Sequence, residues 1–267
     1  SIGHSPISGL IDPVAGSRNS IAESLTNIIW APIEGNIKGL SLSANWMWPC
    51  KNKGEDARLY SAVEAVSKFA IDLGINIPTG KDSLSMNQKY SNQEVKSPGT
   101  VIISATAHCN DITKVVEPVF KKNYGSIYYI NLSQDKFKLG GSSFSQIIGN
   151  IGNETPTIQN SDFFKNAFNI IQDLIRRDLI IAGHDIGSGG LITSLLEMCF
   201  PSINISADID LSSLNENDII KLLFSENCGI IVQSHSNKIE EVFEQNSINF
   251  FNIGEVRSGG SMKIKNN

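Results

Sequence analysis

Long apolar runs, paired cysteines and an excess of positive charge are all missing from this 267-residue sequence. No uninterrupted apolar run approaches the roughly 20 residues that a membrane-spanning helix needs. The four cysteines are far apart, with no CxxC pair and no histidine at metal-ligand spacing, so we expect reduced thiols in a cytoplasmic protein. Lys and Arg number 22 against 27 Asp and Glu, a net charge of -5, which argues against binding nucleic acid by bulk charge. We therefore expect neither a membrane nor a nucleic acid as partner.

The first residues also lack the features of a translation start. The chain begins Ser-Ile-Gly-His, without Met, a basic region or the apolar segment of a signal peptide. We therefore expect it to start within a longer protein. Hydrophobic residues make up 40% of the chain and charged residues 18%, which is typical of a globular protein.

Hydrophobic periodicity predicts a mixture of helices and strands. Helices are predicted at 17–31, 56–73, 161–176 and 190–200. Strands are predicted at 37–45, 100–109, 125–132, 203–210, 228–234 and 248–254. Polar, charged and proline residues cluster at 110–124, which indicates a break. We therefore predict two α+β domains, residues 1–114 and 115–267.

Glu23 and Asn27 form the first candidate site. They are four residues apart on a predicted helix, so they share one face. A carboxylate and an amide oxygen at this spacing suit Mg²⁺, which binds one or two protein carboxylates together with phosphates and waters. The alternative is a solvated polar face, which the spacing alone favours.

Two loops carry residues that could contact a phosphate. Gly80, Lys81 and Ser83 offer close backbone approach, positive charge and a hydroxyl, although the segment is not a Walker A loop. Gly16, Ser17 and Arg18 at a predicted helix start could bind a phosphate through amides, hydroxyl and guanidinium. The alternatives are a strand-connecting turn for the first loop and simple N-capping for the second.

The segment from Gly183 to Leu191 is the richest in glycine. Its glycines precede a predicted helix, whose N-terminal amides favour an anion, and Asp185 beside them is a natural metal carboxylate. His184 ends an apolar run, where a hydrogen-bonded structural role is the commoner one. Taken together, the loops and acidic residues fit a nucleotide held through Mg²⁺, without a Walker A or Rossmann fingerprint.

The order of longer strings along the chain resembles one enzyme family. The strings are DPVAGSRNSIAESLTN, LSANWMWPCKNKGEDARLYSAVEAV, GKDSLSM, GHDIGSGGLITSLLEMCF and LFSENCGIIVQ. They are similar to the large form of phosphoribosylformylglycinamidine synthase (formylglycinamide ribonucleotide amidotransferase). The resemblance implies an α+β fold like a repeat of aminoimidazole ribonucleotide synthetase: an N-terminal α+β barrel-forming domain, here truncated by its first strands, and a C-terminal α/β domain. The chain would be the second of two such repeats.

The resemblance also implies site residues and cofactors. In the family the second repeat holds an auxiliary nucleotide, ATP or ADP, with Mg²⁺. Glu23, Asn27 and Asp185 match the metal ligands, and Gly187 stands where a serine usually contacts the nucleotide. Gly80, Lys81 and Ser83 match a position facing substrate and phosphates. Gly16, Ser17 and Arg18 are a hypothetical contact to the ribonucleotide phosphate across the repeat interface.

The activity implied is that of a purine-biosynthesis ligase. The whole enzyme would use ATP and glutamine to convert formylglycinamide ribonucleotide to its amidine, with a first synthetase repeat and a glutaminase domain as partners in the same chain. No catalytic residue is assigned here, and we expect the isolated segment to be inactive and to self-associate through an apolar barrel face. Two alternatives are a non-catalytic nucleotide-binding or structural module, and a standalone kinase or synthetase with the same fold.

Overall fold

The structure is a computed structural model that describes residues 1–122, 125–202 and 204–266. The helices are α1 (Pro6–Ile11), α2 (Pro13–Ile28), α3 (Glu55–Leu73), α4 (Ser143–Ile147), α5 (Ser161–Arg176), α6 (Gly190–Cys199), α7 (Ile219–Phe224) and α8 (Lys238–Gln245). The strands are β1 (Ile2–His4), β2 (Ser41–Met47), β3 (Asn76–Ser83), β4 (Asn87–Lys89), β5 (Glu94–Lys96), β6 (Thr100–Thr106), β7 (Ser126–Ile130), β8 (Ala182–Asp185), β9 (Ile205–Asp210), β10 (Ile230–Ser234), β11 (Phe251–Ser258) and β12 (Lys263–Lys265). Within these described ranges, no helix is long and apolar enough to cross a membrane.

The N-terminal half is a four-stranded sheet covered on one side by helices. Its strand order is β1-β6-β2-β3, with β2 and β3 parallel and the other pairs antiparallel. Alternate residues of the central strands are buried, such as Leu42 and Ala44 on β2 and Val101 and Ile103 on β6, and they join the apolar side chains of α2 and α3.

The other side of this sheet carries mostly hydroxyl and amide side chains. Register places the following residues on it: Ser41, Ser43, Asn45, Thr100, Ser104 and Thr106, with Ile2, Met47 and Ile102 as apolar members. The expected apolar barrel face is therefore wrong in its composition, because small polar residues dominate it. Within the described ranges the sheet is open and closes no barrel by itself.

The C-terminal half is a six-stranded sheet with helices on both sides. Its order is β12-β9-β11-β7-β10-β8, antiparallel except for the parallel pair of β12 and β9. Along β7 successive residues alternate between two cores: Tyr128 and Ile130 pack with α5 and α8, whereas Ile127 and Tyr129 pack with α6 and α7. A sheet buried on both sides explains why this strand is a continuous apolar run.

One hydrophobic cluster joins the two halves. It contains residues of α2 and α3 together with Phe164, Phe168 and Ile171 of α5. The fully buried Gln172 of α5 adds polar links: its Nε2 donates to the carbonyls of Ile29 and Ala31, and its Oε1 accepts the Ile33 N–H at 2.7 Å. The boundary near residue 115 stays a prediction. Residues 123, 124 and 203, which fall in the predicted break and strand, and residue 267 lie outside the described residues.

Local structure differs from prediction where the candidate loops were expected. Helix α2 begins at Pro13 rather than at residue 17, because the Asp12 carboxylate caps it by accepting the N–H groups of Val14 and Ala15. The predicted loop around Gly80 is part of strand β3. Helix α5, in contrast, has the predicted bounds 161–176.

Candidate nucleotide site

A cleft of about 430 Å³ opens between the two halves of the molecule. Its N-terminal wall consists of residues from the end of β1, from α1 and from α2: His4, Ser5, Pro6, Ile7, Ser8, Asn19, Glu23 and Thr26. Its C-terminal wall consists of residues from two glycine-containing loops and a third segment: Gly141, Ser143, Gln146, Ile186, Gly187, Ser188, Glu226 and Cys228. A concave, mixed polar and apolar site of this size can hold a nucleotide-sized molecule.

Glu23 is the predicted metal ligand that faces this cleft. It lies on α2, and its Oε2 accepts the backbone N–H of His4 at 2.7 Å. Burial raises the pKa of the Glu23 carboxyl above its usual value, the His4 N–H opposes the rise, and the charges of Asp185 and Glu226 add to it. Glu23 is therefore a partly desolvated carboxylate that the charges of Asp185 and Glu226 repel, and a bound cation would relieve this repulsion.

Asp185 ends strand β8, directly before the loop that forms the C-terminal rim. Its side chain is 14% exposed, and His184 contacts it: the His184 ring Nδ1 lies 3.6 Å from Asp185 Oδ1 and 2.7 Å from its carbonyl oxygen. The His184 Nε2 is 3.3 Å from Glu197 Oε2. His184 therefore packs between carboxylates behind the cleft, in agreement with the structural role that the sequence favours.

Asn27 does not reach the cleft. Its side chain is exposed, and its Nδ2 donates to the carbonyl of Ile2 at 3.1 Å, which holds strand β1 against α2. In the part of the chain that the structure describes, no three His, Cys, Asp or Glu side chains come close enough together to hold a metal ion. Of the three predicted metal ligands, only Glu23 therefore lines the cleft. Asp185 lies next to the lining residue Gly187, with its Oδ2 4.0 Å from where a Cβ on Gly187 would be.

Gly187 lines the cleft and is free of steric constraint. A Cβ at this position would meet no atom closer than Asp185 Oδ2 at 4.0 Å. The neighbouring glycines, in contrast, are constrained by their backbone conformation or by close packing. Gly189 has φ +90 and Gly190 has φ +74, and a Cβ at Gly183 would lie 2.1 Å from the Trp30 ring. These three glycines shape the loop, whereas Gly187 leaves room for a ligand or for a larger side chain.

Glu226 is a cleft residue that the sequence reasoning missed. Its Oε1 accepts the N–H of Ser143 at 2.7 Å and the N–H of Gly189 at 2.8 Å, so it joins the two rim loops. The string LFSENCGIIVQ contains it, and the available signal was an acidic residue between a helix and a buried strand. Cys228 follows, and burial raises the pKa of its thiol, with the charges of Asp185 and Glu23 adding to the rise.

Gly80, Lys81 and Ser83 lie elsewhere, on the edge strand β3. A Cβ on Gly80 would lie 2.2 Å from the Ala44 carbonyl, so close strand packing requires this glycine. Lys81 donates to the Ser83 hydroxyl, and register puts both on the polar outer face of the four-stranded sheet beside Asn45 and Met47. None of the three residues lines the cleft, and the segment is a strand rather than the predicted loop. That these residues face substrate and phosphates stays a prediction.

Gly16 and Ser17 are also not at a ligand site. The Gly16 N–H donates to the Asp12 carbonyl, and a Cβ on Gly16 would lie 2.4 Å from the Gly9 nitrogen, so this glycine lets α1 pack on α2. Ser17 is buried. Because the helix already begins at Pro13, the Gly16 N–H is not a free amide at the helix start. The contact of these residues with the ribonucleotide phosphate across the repeat interface stays a prediction. Arg18 is partly exposed, and its charge lowers the pKa of Asp72 only as a minor contributor behind Lys68 and Ser161.

Family models identify the class of protein. The model described as AIR synthase related protein, C-terminal domain, matches residues 132–266, and the model described as FGAR-AT PurM N-like domain matches residues 1–108. The chain therefore belongs to the AIR synthase related family, with the N-terminal and C-terminal domain types of that family and the expected mixed α/β fold.

The curated relatives that the chain resembles share one enzyme name. The chain is 42% identical to the probable phosphoribosylformylglycinamidine synthase of Caenorhabditis elegans over 96% of its length and 34% identical to the human phosphoribosylformylglycinamidine synthase over 91%. It spans only 20% and 18% of these relatives.

Solved structures agree on the fold. PurL of Thermotoga maritima complexed with FGAR matches 99% of the chain and 42% of that protein, with a TM-score of 0.75 at 12% identity. PurL of T. maritima complexed with ATP matches 99% of the chain and 40% of that protein, with a TM-score of 0.71 at 13% identity.

Proposed function

We propose that this chain is one synthetase repeat of a phosphoribosylformylglycinamidine synthase. The observation that carries the proposal is 42% identity over 96% of the chain to a relative with that name. The whole protein would convert formylglycinamide ribonucleotide, ATP and glutamine to the amidine, a ligase reaction of purine biosynthesis. The second of two repeats remains our assignment for the segment, on the strings that resemble the family.

The role proposed for the cleft is to bind ATP or ADP with Mg²⁺. The fit rests on Glu23, a cleft-lining carboxylate whose pKa the negative charges of Asp185 and Glu226 help to raise, with no compensating Lys or Arg in the lining that the structure describes. Asp185 does not line the cleft itself, but it ends β8 next to the loop that does. Mg²⁺ commonly takes one or two protein carboxylates and completes its shell with phosphate and water, so two acidic ligands suffice. When bound, the cation would neutralise phosphate charge.

Because the chain covers only about a fifth of its relatives' length, we propose that other domains of the same protein are its partners. We propose that the polar outer face of the four-stranded sheet, with Lys81 and Ser83, lies against the first synthetase repeat and the ribonucleotide substrate. A glutaminase domain of the same protein would supply ammonia. We propose a cytoplasmic location, which microscopy of the tagged full-length protein tests; an organellar signal would overturn it.

Calorimetric titration of the chain with ADP and Mg²⁺ tests the proposed nucleotide site. Binding that Glu23→Ala and Asp185→Ala each weaken at least about tenfold, a loss of roughly 1.4 kcal/mol, supports it. Glu244→Ala is the matched control, because this exposed carboxylate on α8 does not line the cleft. Equal weakening by the control would contradict the site.

A second candidate function is a structural module that binds no nucleotide. The observation that favours it is Gly187, which replaces the serine of the family motif and removes a hydroxyl from the cleft. In that case the wild-type chain shows no heat of binding with ADP, with or without Mg²⁺. A standalone kinase or synthetase would instead show turnover by the isolated chain.

A further inference from the structure

Glu226 connects two loops that are distant in sequence. Ser143, the first residue of α4, follows the Leu139–Ser142 turn, and Gly189 directly precedes α6. Both backbone N–H groups donate to the same carboxylate oxygen, at 2.7 and 2.8 Å. Hydrogen bonds of this length to a carboxylate are charge-assisted and among the stronger ones in proteins. The two loops thus share one acceptor.

The backbone that carries Glu226 is itself anchored. Ser225 and Asn227 on either side are almost fully buried. Asn227 Nδ2 donates to Ser133 Oγ and to the Lys136 carbonyl, both at 3.0 Å. The backbone on both sides of Glu226 is therefore anchored independently of the two loops. We infer that the Glu226 carboxylate positions the loops.

The charge of the cleft follows from the same residue. Among the lining residues within the described ranges, Glu23 and Glu226 are acidic, His4 alone has a titratable ring, and there is no Lys or Arg. Two backbone N–H groups that could contact a phosphate already bond to Glu226. A bare phosphate entering the cleft would meet negative charge, whereas a phosphate carrying a divalent cation would not.

We propose that Glu226 is the positioning and specificity residue of the cleft: it fixes both rim loops, and its charge restricts the cleft to nucleotides that carry a divalent cation. The proposal rests on the proposed function for the identity of the ligand. The hydrogen bonds and the charge are two separable properties of the side chain. Glutamine keeps an oxygen that can accept both N–H groups but removes the charge, whereas alanine removes both.

Titration with ADP separates the two properties. Wild type, Glu226→Gln and Glu226→Ala are each titrated with ADP in excess Mg²⁺ and with ADP in EDTA, and Glu244→Gln controls for net charge. For each protein we compare the dissociation constant of ADP in EDTA with that of ADP in excess Mg²⁺. We expect the ratio of the EDTA value to the Mg²⁺ value to be about tenfold smaller in Glu226→Gln than in wild type. We expect the alanine variant to show the same lowered ratio, because it also lacks the charge, and to bind both forms of ADP about tenfold more weakly than Glu226→Gln, because the loops lose their shared acceptor. The proposal would be overturned if this ratio of dissociation constants were the same in Glu226→Gln as in wild type. It would also be overturned if Glu244→Gln lowered the ratio as much as Glu226→Gln does.

Thermal unfolding with inorganic phosphate decides the question without nucleotide. We expect phosphate to raise the melting temperature of Glu226→Gln and to leave that of the wild type unchanged. If the wild type binds neither form of ADP, the proposed function fails, and the phosphate result still tests Glu226. Equal responses of wild type and Glu226→Gln to phosphate would contradict the specificity role, and melting without phosphate reports whether each variant folds.

Discussion

Single glycines in the segment from Gly183 to Leu191 differ sharply in the side chains that they would tolerate. Gly183 and Gly187 stand in one motif, but a Cβ on Gly183 would lie 2.1 Å from the Trp30 ring, whereas a Cβ on Gly187 has a nearest neighbour at 4.0 Å. Overpacking a filled position forces neighbouring atoms to move and costs roughly 1–3 kcal/mol. Sequence alone gives both positions the same letter, and only the packing separates them.

We predict that Gly187→Ser leaves the free energy of unfolding within about 0.5 kcal/mol of wild type, since nothing blocks the hydroxyl. Gly183→Ser, the matched control, should destabilise the chain by roughly 1–3 kcal/mol. Urea unfolding measures both values. Equal costs for the two substitutions would contradict the packing that distinguishes them.

Glu23 predicts a dependence of stability on pH. Because burial and neighbouring carboxylates raise its pKa in the folded state, the folded chain holds this proton more tightly than the unfolded chain. Glu23 therefore contributes its full stabilisation of the folded state below its ordinary pKa of 4.5, and this stabilisation is lost as the pH rises through the raised pKa of the folded state. In metal-free buffer, Glu23→Gln should gain stability relative to wild type on going from about pH 4 to about pH 7.

Melting temperatures of the two proteins across this range check that prediction. The glutamine variant keeps an oxygen for the His4 N–H, so the comparison isolates the charge. A stability difference that is constant with pH would show that Glu23 does not titrate at a raised pKa.

At the scale of elements, packing between the halves depends on α5. Its apolar periodicity is strong enough to predict its bounds from sequence, and the same helix carries the buried Gln172. The strand β3 could not be predicted in the same way. Gly80 and Pro78 are typical of loops, but Gly80 is required by the close approach of the Ala44 carbonyl in a parallel strand pair. Long-range pairing of this kind leaves no local signal.

Gln172→Leu should destabilise the chain by about 2–4 kcal/mol, because three backbone groups in the 29–33 segment would lose their buried partner. Asn166→Leu on the same helix is the control, since it removes one exposed bond to the Asn246 carbonyl. We expect the control to cost less than about 1 kcal/mol in chemical denaturation. Similar losses for both variants would contradict the linking role of Gln172.

At the scale of the whole molecule, the cleft is assembled from segments far apart in sequence. Glu226 accepts hydrogen bonds from Ser143, which is 83 positions away in the sequence, and from Gly189, which is 37 positions away. No local sequence pattern could therefore reveal its role. The motifs that carry Glu23 and Asp185 were predictable because each is locally distinctive and resembles the family strings. Spacing alone could not show that Glu23 lines the cleft whereas Asn27 does not, because this depends on how α2 packs beside β1.

We also predict that the isolated chain lacks ligase turnover. The chain covers 20% of its relative in C. elegans, and we assigned it no catalytic residue. We expect no phosphate release above background when the chain is incubated with ATP, formylglycinamide ribonucleotide and ammonia. Turnover at a rate proportional to chain concentration would contradict the assignment and favour a standalone synthetase.

We propose above that the cleft between the two halves binds a nucleotide through a cation held by Glu23, with Asp185 at the adjacent end of β8. Calorimetric titration of the wild-type chain with ADP, in Mg²⁺ and in EDTA, tests it most directly. We expect saturable binding near one nucleotide per chain in Mg²⁺, with affinity lowered at least about tenfold in EDTA and in the Glu23→Ala variant. Absence of binding in Mg²⁺, or binding that neither EDTA nor Glu23→Ala weakens, would contradict it.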